Sequence, residues 1–164
     1  MSKQTPIYEV LIKTKNNWPE SDRNISPEIL RMHRVTSYLH HNLEEVLSDY
    51  SIQPADFSVL ETLRKEPVPH CLTPTELSTS MLFSSGGLTK VLNRISIAGY
   101  ILRIDNPNDK RGKLVQLTES GKSLIDNIIV ELHKSEQNKM NVLSKDEKEK
   151  LNSLLAKILH AWEQ

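Results

Sequence analysis

Six cations and two carboxylates lie between Ser84 and Lys113. Lys90, Arg94, Arg103, Lys110, Arg111 and Lys113 face Asp105 and Asp109, a local charge of +4 in a chain whose net charge is zero. Lysine and arginine in such excess attract phosphates, and the balancing acids elsewhere confine that attraction to one patch. Phosphate contacts position a duplex, whereas contacts to base edges specify its sequence. Side chains suited to base edges stand in the same stretch: Ser84, Ser85, Thr89 and Asn93, beside Gly86 and Gly87. Two adjacent glycines weaken a helix by roughly 1 kcal/mol each, a cost that close backbone approach to a duplex would offset. Taken alone, the stretch also reads as an imperfect surface helix.

Other chemistries find less support. His33, His40, His41 and His70 form no ligand set at metal spacing, since adjacent His40 and His41 diverge on a helix and no cysteine or carboxylate group completes a tetrahedron. No nucleophile elbow, phosphate loop or paired-carboxylate pattern is present, so an enzyme is not expected, and neither a metal nor a cofactor. The single cysteine, Cys71, has no internal partner, which points to a reducing compartment and reads as an inert loop thiol. No apolar run is long enough for a leader or a bilayer span, so a soluble, cytoplasmic protein is expected.

The elements that must position the patch follow from capping and periodicity. Aromatics make up 5% of the 164 residues and glycines number five, which favours helices. A short helix is predicted over Ile7–Lys15, broken at Asn16-Asn17-Trp18-Pro19. Ser26-Pro27 opens a helix to about Asp49, with Ile29, Met32, Val35, Leu39, Leu43, Val46 and Leu47 as its stripe. Pro54 opens a second, burying Phe57, Val59, Leu60 and Leu63 and ending before Pro67 and Pro69. Thr73-Pro74-Thr75-Glu76 is a capping box that starts a short third helix. Ser84 or Ser85 caps a fourth, closed by Gly99. Leu88, Leu92 and Ile95 should face inward on it, leaving Ser85, Thr89, Lys90 and Asn93 outside.

Tyr100–Ile104 and Lys113–Leu117 read as strands joined by a turn-rich loop. Thr118 caps a long helix, and Ser144-Lys145-Asp146-Glu147 boxes the last one, whose stripe is Leu151, Leu154, Leu155, Ile158, Leu159 and Trp162. The fold class is mainly α with a small β-hairpin: a winged helix-turn-helix with long flanking helices. The organisation is an extension over 1–25 and a main domain over 26–164. That domain holds the helix-turn-helix at 73–99, the wing at 100–117, and flanking helices at 26–49 and 118–164, whose stripes are long enough to share with a second copy. A charged hairpin tip is by itself an ordinary solvated turn. Joined to a helix pair it becomes a wing, whose Arg111 suits a narrow minor groove. Asp109 could fix the wing's shape by pairing with Arg111 or Arg103.

These pieces together resemble the MarR family of winged-helix regulators. The matching stretches are Leu72 to Leu77, Ser84 to Lys90, Ala98 to Arg103, Asp105 to Gly112, and Leu117 to Gly121. The resemblance covers roughly residues 26 to 162. It implies a homodimer on a pseudo-palindromic DNA site, acting as a repressor released by a small-molecule effector bound between the dimer and DNA-binding lobes. DNA contacts would come from Ser84, Ser85, Gly86, Gly87, Thr89, Lys90, Asn93, Arg94, Arg103, Asp109, Lys110 and Arg111. Trp18, with Phe57-Ser58-Val59-Leu60 and Ser84-Ser85-Gly86-Gly87, is similar to the PecS-like, urate-responsive branch, which implies an effector pocket near Trp18, His33, Phe57 and Ser58. Ser58 stands where that branch carries aspartate and Val91 where it carries arginine, so the implied partner of an anionic urate is missing. The alternative function is a winged helix that serves a protein partner without specific DNA binding.

Overall fold

Four helices begin on proline, where the missing N–H would have had no partner in any case. These are α2 (Pro19–Asp22), α3 (Pro27–Ser48), α4 (Pro54–Lys65) and α5 (Pro74–Ser80). The computed structural model describes residues 4–81, 87–107 and 109–164, and the side chains of these except 109–111. The remaining elements are α1 (Ile7–Asn17), β1 (Cys71–Leu72), α6 (Leu88–Ile97), β2 (Ile101–Asn106), β3 (Asp109–Leu117), α7 (Glu119–Met140) and α8 (Lys145–Trp162). The chain divides into two compact units between Leu43 and Glu44, inside α3.

In the first unit, Trp18 stands between α1 and α2 with φ −145° and ψ 67°, outside the helical region, and so breaks the helix. Arg34 of α3 donates to the Thr5 carbonyl at 3.0 Å.

In the second unit the core gathers on α4. Phe57, Val59, Leu60 and Leu63 are buried there, with Leu77 of α5, Ile95 of α6, Ile101 and Val115 of the sheet, and Ile125 and Ile128 of α7. Each such side chain contributes about 1.5–3 kcal/mol through removal from water. Arg64 of α4 reaches Asp126 of α7 at 2.8 Å, closing the polar edge of that contact.

The sheet is antiparallel in the order β1-β3-β2. Ile101 pairs with Leu117 and Ile104 with Leu114, and the register shifts near the tip between Asp105 and Asn106. The hairpin is longer than its apolar residues indicate: β2 runs on to Asn106 and β3 starts at Asp109. Backbone pairing carries polar side chains along, because alternate residues need no core contact. β1 has no counterpart among the expected elements. It pairs Cys71 with Gln116 and Leu72 with Val115, directly after His70, which adopts a left-handed φ of 56°.

The α7 start is packed against the base of the hairpin. Thr118 accepts from the Gly121 N–H at 3.0 Å and donates to the Gly99 carbonyl at 2.8 Å. Gly121 is buried there, and a Cβ on it would stand 2.2 Å from the Tyr100 carbonyl oxygen.

Candidate nucleic-acid interface

Helix α5 is set by its capping box. The Thr73 hydroxyl accepts from the Glu76 N–H at 3.2 Å, while the Glu76 carboxylate accepts from the Thr73 N–H at 2.8 Å. Those bonds to Thr73 hold the Glu76 carboxyl below the ordinary carboxylate range. Leu77 anchors the helix from below.

Helix α6 begins at Leu88, with Gly87 at its N-cap in the left-handed region at φ +88°. This corrects the expected start at Ser84 or Ser85. The glycine pair favours termination over helix, and Gly87 supplies the positive φ that a side chain resists. Ser84, Ser85 and Gly86 lie outside the described residues. Val91, Leu92 and Ile95 are buried, while Leu88 is only half-buried. Thr89, Lys90 and Asn93 are exposed on the opposite face.

Arg94, expected among the DNA contacts, has a partner within the fold. Its Nε and Nη2 donate to Asp56 of α4, the shortest of these bonds being 2.6 Å to Oδ1. Asp56 is 4% exposed. A guanidinium bonded in this way to a buried carboxylate braces α6 against α4. Its pKa is raised further by that hydrogen bond.

Arg103 of β2 donates from Nη2 to Asn93 Oδ1 of α6 at 2.7 Å. Asn93 is thus a partner of Arg103; the expected pairing of Asp109 with Arg111 or Arg103 falls on side chains outside the described residues. Lys113 pairs with Asp105 across the hairpin. Asp109, Lys110 and Arg111 lie at the start of β3, and their side chains are outside the described residues. Between α5, α6 and the two long strands lies an open cavity of about 160 Å³. Its floor is Pro74, Leu88, Leu92 and Val115, and its rim carries Thr89, Arg103 and Lys113. A capped helix, a second helix with a polar outer face, and a hairpin tied to that face can together seat a duplex backbone and reach base edges.

No family model matches the chain, but whole proteins do. The transcriptional regulator PecS of Dickeya dadantii (strain 3937) is 26% identical over 158 residues, 96% of this chain and 95% of its own. The multiple antibiotic resistance protein MarR of Escherichia coli (strain K12) is 36% identical over 132 residues, covering 78% of this chain and 88% of its own. The chain belongs to the MarR family. Among solved structures, the apo form of wild-type E. coli MarR aligns with a TM-score of 0.68 at 35% identity, over 83% of this chain and 99% of that one. A cysteine mutant of the same protein, complexed with operator DNA, aligns at 0.63 and 34% identity, over 80% and 96%. This MarR-family chain is a DNA-binding transcriptional regulator, and the length of the PecS match agrees with the PecS-like branch.

Of the residues expected to line an effector pocket in this MarR-family chain, two belong to the first unit and two to the second. Trp18 is 63% exposed between α1 and α2, and His33 is exposed on α3, both in the first unit. Phe57 and Ser58 are core residues of the second unit, at 2% and 1% exposure. Val91, at the position of the branch's arginine, is likewise core.

His70 holds Nδ1 at 2.6 Å from the Glu66 carbonyl oxygen. Among the described residues no three His, Cys, Asp or Glu side chains come together as a metal site. Cys71 is a half-buried free thiol within β1, and no helix among the described residues could cross a membrane. The residue that sequence reasoning missed is Asp56. Its one local signal was its place three residues after Gln53, whose N–H it accepts at 3.2 Å.

Proposed function

We propose that this protein is a homodimeric repressor that holds a pseudo-palindromic operator and releases it when a small molecule binds. The observation that carries the reading is the bond from Arg103 of the hairpin to Asn93 of α6, which links groove reader and wing inside the +4 segment. Thr89, Lys90 and Asn93 would meet the major groove, with Ser84, Ser85, Gly86 and Gly87 at the close approach. Lys110 and Arg111, shaped by Asp109, would follow the minor groove.

The dimer is supported by α8. In a single chain Leu154, Leu159 and Trp162 are 61%, 48% and 66% exposed, an apolar stripe that a soluble monomer would not leave open. Effector release is supported by the cavity among α5, α6 and the hairpin, whose apolar floor and cationic rim suit a small organic anion. Such a molecule would lie within the reading face and compete with DNA. The protein acts in the cytoplasm, without catalysis.

The test is fluorescence anisotropy on duplexes that the protein itself selects from a random pool, across a salt series. The reading expects tight binding that falls steeply with salt, and Arg111→Ala should reduce the log–log salt slope by about one per protomer. Binding that ignores salt, or a pool that is never enriched, would leave the fold serving a protein partner instead.

A further inference from the structure

The ion pair between Asp56 and Arg94 does more than fill a gap in the core. Asp56 sits in the first turn of α4 and is almost fully buried. Its Oδ2 accepts from the Gln53 N–H, so the carboxylate is fixed to its own helix before Arg94 arrives. Arg94 then meets it with Nε at 3.0 Å from both oxygens and Nη2 at 2.6 Å from Oδ1. A forked contact fixes direction as well as distance. A lysine at the same place would act as a point charge and would leave the angle free.

What the fork orients is the roll of α6 about its own axis. Val91, Leu92 and Ile95 pack the inner side of α6 through apolar contacts, which are non-directional. Arg94 lies beside that stripe, one turn after Lys90 and next to Asn93. A helix of about 5 Å radius that rolls by about 20° moves its surface groups by roughly 2 Å, enough to take a side chain off a base edge.

We propose that Asp56 is a positioning residue for sequence reading. Through Arg94 it sets the roll of α6, and so the register of Thr89, Lys90 and Asn93 on the bases. Arg94 itself contributes to specificity and not to phosphate attraction. The inference rests on the DNA-binding reading above.

The test uses the full chain, a duplex selected by the wild-type protein and a scrambled duplex of equal length, each titrated across salt. The variants are Arg94→Gln, Arg94→Lys, Asp56→Asn and the double variant Asp56→Asn/Arg94→Gln. Each of the four should lower the preference for the selected duplex on the order of tenfold, the scale of one good base contact. The salt slope on the scrambled duplex should stay as in the wild type. A purely structural role would instead lower the melting temperature and leave the preference intact at temperatures well below it. Arg94 is 42% exposed in its side chain, so its variants carry the test even if Asp56→Asn does not fold.

A salt slope that falls by about one per protomer in Arg94→Gln, with preference kept, would make Arg94 a phosphate contact and overturn the proposal. Preference and slope both unchanged would overturn it too. If the wild-type protein itself enriches no duplex, the DNA-binding reading fails first, which separates the two failures.

Discussion

Arg103 and Asn93 stand ten residues apart in the chain and 2.7 Å apart in space. The bond crosses from the first strand of the hairpin to the outer face of α6, and both side chains are exposed. Arg103→Ala should therefore change thermal stability by no more than about 0.5 kcal/mol. It should weaken binding to a selected duplex several-fold, because wing and helix would no longer be fixed to each other. Paired melting and anisotropy measurements check this. A loss of affinity matched by an equal loss on a scrambled duplex would reduce Arg103 to a phosphate contact.

Gly121 is required for a different reason. A methyl group there meets the Tyr100 carbonyl at 2.2 Å and Leu117 Cδ1 at 2.9 Å, and the first of these is backbone that cannot step aside. Gly121→Ala should cost about 1–3 kcal/mol, as overpacking does, and chemical denaturation would read it directly. Gly87→Ala makes a useful contrast, since among the described residues beyond its chain neighbours no atom lies within 4 Å of its added Cβ. The left-handed φ of +88° is the cost to expect there.

Two capping boxes carry a pH signature. Glu76 and Glu147 are both held below the ordinary carboxylate value by bonds to Thr73 and Ser144. A depressed folded-state pKa gives stability that is fully present above the unfolded value, about 4.3, and is lost as pH falls through the folded one. Melting temperature should be flat from neutral pH to about 5 in respect of these groups and should drop below that. Glu76→Gln/Glu147→Gln should start lower and drop less. An unchanged acid limb in the double variant would refute the assignment.

The proposed dimer has its own variant. Leu155 lies within the exposed stripe of α8, so Leu155→Glu should leave each chain helical and shift sedimentation from dimer to monomer. Affinity for a pseudo-palindromic duplex should fall by well over tenfold, as two half-sites cease to be held together.

What could be read in advance was what the chain decides locally. The starts of α3, α4, α5, α7 and α8 lie where Pro27, Pro54, Thr73-Pro74, Thr118 and Ser144 put them, because a cap or an N1 proline acts within a few residues. The start of α6 was misplaced, because serines before Gly86-Gly87 look like caps and Gly87 ends up as the cap. Strand β1 was invisible because two residues have no period. The largest gap was Arg94, an arginine among other cations whose partner lies 38 residues earlier. Tertiary pairing of that kind leaves no mark on the local sequence.

The central strand has a consequence for how the DNA-binding lobe opens. β3 is bonded along one edge to β2 and along the other to β1, and the Leu117 N–H donates to the His70 carbonyl at 3.0 Å. Chain entering the helix pair and chain leaving it are thus tied to one strand. Successive amides of a strand point to opposite edges, so exchange at all of Val115 to Leu117 requires both edges to part. Hydrogen exchange should find helix pair and hairpin base opening as one cooperative unit, with the hairpin tip exchanging ahead of it.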